Sequence, residues 1–473
     1  MERNRTLVLF IVVLGTLMGA LDGTIVVLAF PVIASNLKAD FITAIWIILI
    51  YLLIIAVTTT QLGRVGDIYG RSRSFNVGFG VFTIGSAMCG LSPSITVLIF
   101  SRAIQAVGGA LMQSNSGAII ADTFSRETRG RAFGWNALGW TAGSMLGIVL
   151  GGAIATFIGW QFIFFINIPI GIGAFILGSK YLRDVTKLKA KIDLIGMVIL
   201  GSSLSLISVG ATSFAALGFS ALNLVLALIG IFLIPMFILY DRRSESPTID
   251  FESLKNKVVR NASLSAFFVS VGYLSVVFLL IMYLQGIRGL TPLNASILLT
   301  PGYVAGAFLG PLMGRLSDKY GSRGIATLGI IFLGIATLVY LTLRDTSPLY
   351  VVLIGSAASG VGTSMFFPAN SAAVMANTRT GGYGSISGLL RTLQNIGILG
   401  SFVLAISVAS LSIPRDVAFE VFLGTTNLTG GISQVFIRGI DSALYASLII
   451  LFIAGLLSFV RGKETRTNTV EPR

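Results

Sequence analysis

Long apolar segments separated by short polar connections run along almost the whole chain. Fourteen of these segments are long enough to cross a bilayer as helices, because one span needs roughly 20 apolar residues. They lie near residues 7–30, 43–62, 74–92, 95–121, 131–157, 162–182, 192–212, 217–240, 262–285, 293–313, 323–343, 347–375, 383–410 and 438–460. Lipid offers no partners to open strand edges, so the pattern predicts an all-α polytopic membrane protein with 14 transmembrane helices.

One polar connection occurs twice. Residues 63–73 read Gly-Arg-Val-Gly-Asp-Ile-Tyr-Gly-Arg-Ser-Arg, and residues 314–323 repeat the Gly-Arg, the Asp and the Tyr-Gly at the same spacing. The two copies are 251 residues apart (314 − 63), a little over half of the chain. A loop that recurs between long apolar segments predicts two related halves, an arrangement common among membrane transport proteins.

The repeat divides the chain into six spans, two inserted spans and six more. We predict an N-terminal six-helix bundle at 1–188 and a C-terminal six-helix bundle at 262–473. Between them, residues 189–261 are expected to form two inserted transmembrane helices and a cytoplasmic loop. The insert explains why the two loop copies are further apart than six spans require.

Basic residues are concentrated on one side of the predicted membrane. With the N-terminus inside, five of the 33 Lys and Arg residues lie on the outer side, two lie within spans, and the other 26 face the cytoplasm. The five are Lys38, Arg288, Arg344, Arg415 and Arg438, and the two are Arg102 and Arg391. This asymmetry predicts a cell-membrane protein with both termini in the cytoplasm. It also explains the net charge of +14 without nucleic acid as a partner.

The composition narrows the classes of function. Only 11% of the residues are charged, whereas soluble domains have roughly 25%, so the lipid bilayer is the expected surroundings. With no histidine and one cysteine, Cys89, we expect no intramolecular disulfide, no metal site and no cofactor. The sequence has neither a nucleophile–base constellation nor a Walker-type loop ending in Gly-Lys-Ser/Thr, which argues against an enzyme and an ATP-driven pump. Nothing in it requires more than a monomer.

Two charged residues lie deep inside predicted spans at a similar depth. Asp22 is in the first span, and Arg102 is seven residues into the fourth. A carboxylate within the membrane is costly and is therefore a functional candidate. Burial disfavours the ionised carboxylate and a nearby guanidinium favours it, so a conformational change that alters this balance would make Asp22 a proton carrier. The alternative is a permanent ion pair that only sets helix packing.

Three further groups of residues are candidates for function. We interpret the repeated loop as a cytoplasmic gate, with the residues Gly63, Arg64, Asp67, Gly70, Arg71, Arg73, Gly314, Arg315, Asp318 and Gly321. Glycines spaced so that helices can approach closely predict a helix-packing seam: Gly143, Gly147, Gly151, Gly152, Gly306 and Gly310. Residues at mid-membrane height that would line a substrate cavity are Gln105, Gln113, Asn115, Tyr273, Phe366 and Asn395. The alternatives are a tight basic turn, ordinary packing and helix contacts. Arg391 is expected to extend towards the interface.

The same residues carry a family resemblance that covers nearly the whole chain. The loop at 63–73 resembles the signature loop of the major facilitator superfamily, and residues 21–31 are similar to the first-span motif of its fourteen-span drug:proton antiporter family. Residues 102–109 resemble the fourth-span motif through Arg102, Gln105 and Gly108-Gly109, and residues 160–171 resemble the sixth-span entry motif. One motif departs from the family, because Ile148 follows Gly147 where the antiporter motif usually has Gly-Pro.

The resemblance implies the major facilitator fold, with two six-helix bundles that rock about a central cavity and a signature loop that gates the cytoplasmic side. It implies that Asp22 takes part in proton or cationic-substrate coupling and Arg102 in proton transfer. We therefore expect a proton-coupled antiporter that exports small, hydrophobic or cationic compounds by alternating access. The alternatives are a proton-coupled symporter or uniporter for a small nutrient or metabolite, and a non-transporting membrane sensor.

Overall fold

The computed structural model describes residues 5–124, 126–184, 191–245, 247–249, 251–377, 383–412 and 431–462. Every regular element among these residues is a helix, as predicted. The α-helices are α1 Arg5–Asn36, α2 Phe41–Tyr69, α3 Arg71–Gly90, α4 Ile95–Thr123, α5 Arg126–Phe157, α6 Phe162–Phe165, α7 Asn167–Tyr181, α8 Leu194–Leu217, α9 Ala221–Asp241, α10 Lys257–Tyr273, α11 Val276–Met282, α12 Pro292–Tyr320, α13 Ser322–Tyr340, α14 Tyr350–Ala376, α15 Tyr383–Ser412 and α16 Gly431–Phe459. A 3₁₀ turn at Ser253–Lys255 precedes α10, and a π-helical turn at Tyr283–Ile287 continues α11.

Thirteen candidate membrane spans, judged by length and hydropathy, lie in the described part of the chain. Two of them contain short breaks: α6 and α7 form the span Phe162–Tyr181, and α10, α11 and the π-helical turn form the span Lys257–Ile287. The one predicted segment that is not among these thirteen is residues 74–92. It corresponds to α3, a 20-residue helix rich in glycine and serine that packs against α4 and α7. The helices therefore follow the fourteen predicted segments in order.

The repeat seen in the sequence recurs in the helix boundaries. A shift of 251 residues carries α2 at Phe41–Tyr69 onto α12 at Pro292–Tyr320, and it carries the start of α3 onto the start of α13. The glycines between these helices, Gly70 and Gly321, have φ angles of 112° and 95°. Because L side chains rarely adopt such angles, glycine is the residue suited to both turns.

Contacts between helices follow the two halves. In the first half α1 packs on α5 and α4 packs on α2 and α3, while in the second α14 packs on α12 and α13. The halves meet where α5 contacts α12 and where α2 contacts α15. The inserted helices α8 and α9 pair with each other, and α8 also contacts α2 and α15. This packing is compatible with the division at residues 188 and 261, which stays a prediction.

Successive spans alternate in direction, so the α2–α3, α9–α10 and α12–α13 connections share one side of the bundle with the start of α1. We call this the basic side, because it carries most of the Lys and Arg residues. The other side is called the opposite side.

Candidate functional site

The structure brings together the two charged residues that the sequence placed at similar depth. The Oδ2 atom of Asp22 on α1 lies 2.6 Å from Nη1 of Arg102 on α4. The side chains are 0% and 2% exposed, respectively. Two charges so deeply buried are costly to keep unless each finds further hydrogen bonds, and both do.

The carboxylate of Asp22 is held directly by two neighbouring helices, α4 and α7. Its Oδ1 atom accepts hydrogen bonds from Nε2 of Gln105 at 2.8 Å and from Nδ2 of Asn167 on α7 at 3.2 Å. The same Gln105 nitrogen donates to the hydroxyl of Ser86 on α3 at 2.7 Å. All of these side chains are buried, so the carboxylate is sealed inside the first bundle.

The guanidinium of Arg102 has partners besides Asp22. Its Nε donates to the carbonyl oxygen of Ile47 on α2 at 3.2 Å, and Nη1 donates to Oε1 of Gln105 at 2.5 Å. The guanidinium carbon also lies 4.1 Å from the centre of the Tyr51 ring, within the range of a cation–π contact. Arginine therefore keeps several contacts that do not depend on the charge of Asp22.

Glycine makes this arrangement sterically feasible, because it lets α3 lie directly against α4. A Cβ atom at Gly85 would lie 2.6 Å from the backbone nitrogen of Gln105. About two turns earlier on α3, a Cβ atom at Gly78 would lie 3.0 Å from the carbonyl oxygen of Gly108. The close approach places Ser86 beside the Gln105 amide.

The second half contains an uncharged counterpart of this site. The 251-residue shift carries Asp22 onto Tyr273 and Cys89 onto Tyr340. Gly78 packs on Gly108 as Gly329 packs on Gly362, so α4 corresponds to α14 with a shift of 254 residues (362 − 108).

That second shift carries Gln105 onto Ser359. Ser359 lies close to the hydroxyls of Tyr273 and Tyr340, and at the corresponding place in the first half Oε1 of Gln105 accepts from the Cys89 thiol at 3.7 Å. The two halves therefore share the architecture of a buried polar centre, and of the two centres as described only the first contains an ion pair.

The predicted glycine seam on α5 lies mainly inside the first bundle. A Cβ atom at Gly147 would lie 2.5 Å from the Leu21 carbonyl oxygen on α1, and Gly143 and Gly151 also face the α1 backbone. Gly152 differs, because a Cβ there would lie 2.5 Å from the Ser296 hydroxyl on α12 of the other half. The helix that carries Asp22 is thus packed directly on the helix that meets the second half.

The glycines predicted for the same seam on α12 are less closely packed. A Cβ at Gly306 would lie 3.9 Å from Thr141 on α5, and within the described part of the chain no atom lies within 4 Å of a Cβ at Gly310 or at the nearby gate residue Gly314. Towards the opposite side the helices meet, since the backbone N–H of Leu293 donates to the Thr156 hydroxyl at 3.2 Å. Near the opposite side, α5 and α12 are therefore in direct contact, through Gly152 against Ser296 and Thr156 against Leu293.

The first copy of the repeated loop is held by a network of acidic residues. Arg71 contacts Asp67 at 2.7 Å and Asp122 of α4 at 3.0 Å. Asp184, just after α7, accepts from the backbone N–H of Ser72 at 2.7 Å and so caps the start of α3. A side chain at Gly70 would collide with that carboxylate.

The same loop is linked to the inserted helices. Nη2 of Arg64 donates to the carbonyl oxygen of Pro247 at 2.6 Å, and Nε2 of Gln61 donates to the Thr248 hydroxyl at 3.2 Å. Oε1 of Gln61 also accepts from the backbone N–H of Asp193, the residue that caps α8. Two exposed residues nearby, Lys191 and Glu245, form a surface ion pair in which the hydrogen bond from Lys191 lowers the pKa of Glu245.

For the other residues of the predicted gate, the structure shows fewer contacts. The backbone N–H of Arg73 points to Asp184 at 3.4 Å, and Gly63 approaches Ser114 of α4. In the second copy, Arg315 precedes the turn at Gly321, while the side chain of Asp318 lies outside the described part of the chain.

Two of the six cavity candidates lie between the halves. Nδ2 of Asn395 on α15 donates to Oε1 of Gln113 on α4 at 2.9 Å. Each of the other four lies inside one of the two bundles. In the first half, Gln105 is in the charged centre and Asn115 lies against Gly66 of α2. In the second half, Tyr273 is in the uncharged counterpart and Phe366 is in the apolar core. These four side chains therefore serve helix contacts in this structure.

Sequence reasoning missed Ser86, Asn167 and Asp184 as partners of the candidate residues. Asn167 had a signal, because it lies in the segment that resembles the sixth-span entry motif. Asp184 directly follows a span, where a carboxylate can cap a neighbouring helix. Ser86 had none, since serine is common in transmembrane helix contacts.

Comparison with known proteins places this architecture in a family. Among curated proteins, the riboflavin transporter RibZ of Clostridioides difficile (strain 630) is 30% identical, with 83% of this chain and 86% of RibZ covered. The multidrug resistance protein Stp of Mycobacterium tuberculosis (strain CDC 1551 / Oshkosh) is 28% identical, with 100% and 95% covered. The tetracenomycin C resistance and export protein of Streptomyces glaucescens is 27% identical, with 85% and 76% covered.

Solved structures support the same fold. A bacterial homologue of the human lysosomal transporter Spinster, inward-facing and unoccupied, matches with a TM-score of 0.66 at 16% identity, covering 98% of this chain and 97% of the other. An auto-inhibited peptide transporter of the POT family matches with a TM-score of 0.67 at 14% identity, covering 98% and 99%. The sequence profile of the Major Facilitator Superfamily matches residues 12–401, and the chain therefore belongs to that superfamily of transporters.

Proposed function

We propose that this transporter is a proton-coupled antiporter of the fourteen-span drug:proton antiporter type, which exports small, largely apolar compounds by alternating access. The observation that carries the proposal is the sealed contact between Asp22 and Arg102. Asp22 is the titratable carboxylate of this centre, and it belongs to α1, a helix packed on α5 at the boundary between the halves. The positive-inside rule assigns the basic side to the cytoplasm and so directs export to the opposite side.

Protonation of Asp22 changes the balance of forces at this centre. A neutral carboxyl group loses its charge attraction to Arg102, while the guanidinium keeps its hydrogen bonds to Gln105 and to the Ile47 carbonyl. The contact between α1 and α4 is thereby weakened while the contacts of α4 to α2 remain. A proton on Asp22 therefore favours a state in which α1 moves relative to α4.

A movement of α1 relative to α4 would also affect the interface between the halves. Helix α1 lies against α5 through the glycine contacts at Gly143, Gly147 and Gly151, and α5 contacts α12 through Gly152 and Thr156. A shift of α1 therefore acts on the helix that joins the first half to the second. Because Asp22 has no exposed surface here, it exchanges protons in another conformation, which makes proton binding and conformation interdependent.

The cargo is a separate question, since the relatives differ in theirs. Two of them are named as resistance or export proteins, and one is named as a riboflavin transporter. The resemblance to RibZ supports a second candidate, a proton-coupled symporter or uniporter for a small metabolite. The direction of movement relative to the proton gradient separates the two candidates. The protein is proposed to work as a monomer, because the ion pair and both halves belong to one chain.

The test uses the purified protein in proteoliposomes with an imposed proton gradient and an internal pH-sensitive dye. Riboflavin and ethidium are added in turn to wild type, to Asp22→Asn and to Asp345→Asn, an exposed carboxylate near the opposite side that serves as control. Antiport predicts that a cargo dissipates the gradient in wild type and in the Asp345 variant and fails to do so in the Asp22 variant. Proton flux that persists in Asp22→Asn would refute the assignment of Asp22, and cargo movement in the direction of the proton would favour symport.

A further inference from the structure

A second arginine lies within a membrane span without the carboxylate partner that Arg102 has. Arg391 is on α15, eight residues after the start of that helix at Tyr383, a distance of about 12 Å along the axis. It belongs to the candidate span Gly388–Ala409. Among the described residues, the ion pairs within 4.0 Å do not include Arg391. A charge kept in a membrane span marks a functional position.

The neighbours of Arg391 place it between the two halves. Its guanidinium carbon lies 5.2 Å from the centre of the Trp140 ring on α5. One helical turn further, Asn395 donates to Gln113 of α4, and the adjacent Thr392 shares a hydrogen bond of 2.6 Å with Thr60 of α2. Arg391 therefore lies where α15 faces three helices of the first half. We call Gln113, Trp140, Arg391 and Asn395 the polar layer.

Contact with a tryptophan ring satisfies a guanidinium only in part. The ring attracts the charge through its face, while the N–H groups of the guanidinium fork point outwards in the plane and are suited to an oxyanion. A carboxylate, sulfonate or phosphate group accepts two parallel hydrogen bonds from such a fork. The amide groups of Gln113 and Asn395 supply further polar contacts at the same level.

The charges around the polar layer also favour an anionic ligand over a cationic one. The one carboxylate of the charged centre, Asp22, is paired with Arg102 and fully buried in the first bundle. It is therefore not available to attract a cation at the polar layer. A cationic cargo would meet Arg391 as a like charge, whereas an anionic cargo would neutralise it.

We propose that Arg391 determines the charge class of the cargo and that the polar layer binds an oxyanion group on a compound with a flat apolar body. The apolar body would lie against Trp140. This inference rests on the proposed export function and replaces the expected hydrophobic or cationic cargo with an anionic one that has an apolar body. Arg391 is then a cargo-binding residue rather than one that extends to the membrane surface.

The test compares two ligands that differ in charge and match in shape, 2-naphthoate and 2-naphthamide. Each displaces carboxyfluorescein from the purified full-length protein in lipid nanodiscs, followed by fluorescence anisotropy. Wild type is expected to bind the naphthoate at least about tenfold more tightly than the amide, because the amide leaves Arg391 unpaired. This comparison needs no variant, so it holds even if a substitution impairs folding.

Variants assign the effect to the residue. Arg391→Gln should reduce the preference for naphthoate to about twofold or less, and Arg391→Lys should retain most of it. Arg344→Gln removes an exposed arginine that contacts Asp441 and should leave the preference unchanged. Equal binding of the two ligands by wild type, no displacement of carboxyfluorescein by either, or an unchanged preference in Arg391→Gln would overturn the proposal.

The outcome is independent of the proton-coupling test. Binding in nanodiscs requires no gradient and no turnover, so a preference for the naphthoate would stand even if Asp22→Asn kept full proton flux. Conversely, proton-coupled transport of ethidium with no preference for anions would support export and refute the role of Arg391.

Discussion

Tyr273 occupies in the second half of the molecule the position that Asp22 occupies in the first. The two residues are related by the same shift of 251 residues that relates the two signature loops, and each lies beside the corresponding side chain, Ser359 or Gln105. The first centre contains an ion pair and the second contains hydroxyl groups. Of these two corresponding centres, the one with the ion pair is the candidate proton site, and the other serves packing.

This relationship predicts opposite results for two conservative substitutions. Tyr273→Phe removes a hydroxyl from the uncharged centre and should leave cargo-driven proton flux within about twofold of wild type, with a loss of stability no greater than the roughly 1 kcal/mol of one ordinary hydrogen bond. Asp22→Asn should abolish the flux. The measurement is dye-reported proton movement in proteoliposomes, together with thermal unfolding. A loss of flux in Tyr273→Phe equal to that in Asp22→Asn would assign proton coupling to both halves.

The ion pair should behave as a unit in stability measurements. Arg102→Leu leaves the Asp22 carboxylate buried without its countercharge, which typically costs about 3–5 kcal/mol of unfolding free energy. The double variant Asp22→Asn, Arg102→Leu removes both charges and should be more stable than Arg102→Leu alone. Denaturation of the purified protein in detergent measures the four members of this cycle. Strictly additive effects would show that the two side chains do not interact energetically.

The contact between α1 and α5 should tolerate no added methyl group at Gly147. Gly147→Ala would place a Cβ 2.5 Å from the Leu21 carbonyl oxygen and should cost about 1–3 kcal/mol through forced separation of the helices. Gly134 lies on the same helix, and no atom of the described residues is within 4 Å of its Cβ position, so Gly134→Ala should be neutral or stabilise by about 0.5–1 kcal/mol. Thermal unfolding compares the two variants. Equal melting temperatures would argue against a close contact at Gly147.

The link between the repeated loop and the inserted helices is also testable. Arg64→Gln removes the charged donor to the Pro247 carbonyl oxygen, a contact of a kind worth about 1.5–3 kcal/mol. Amide exchange of Thr248, whose N–H is bonded to Asp241, should then be roughly tenfold faster. Lys191→Gln disrupts only an exposed ion pair and should leave the exchange unchanged. Unchanged exchange in Arg64→Gln would show that the loop does not hold the insert.

The sequence was sufficient to predict the large-scale organisation. Span length depends on bilayer thickness, and the repeated loop is a local pattern, so both can be read without knowledge of contacts between distant residues. The Asp22–Arg102 pair was also predictable, because charges are rare in spans and two at one depth tend to find each other. Asn167 lies in a recognisable motif, but its contact with Asp22 was not predictable, since it depends on how α7 packs against α1.

It was harder to predict whether a single polar side chain faces a cavity or a neighbouring helix. Asn115 was expected in a cavity, yet it packs against Gly66 of α2. Arg102, Gln105 and Gln113 share one face of α4 at helical spacing, and Asn115 lies outside that stripe. The glycine on the partner helix, which decides the matter, is 49 residues away in the chain.

The position of α8 has a consequence for molecules dissolved in the bilayer. Helix α8 contacts both α2 and α15, so it covers the seam where these two helices join the halves. On the other seam, between α5 and α12, the close contacts at Gly152 and Thr156 lie near the opposite side. A compound dissolved in the lipid therefore meets the inserted helix α8 when it approaches the α2–α15 seam, so the two seams between the halves are not equivalent as lateral entry routes.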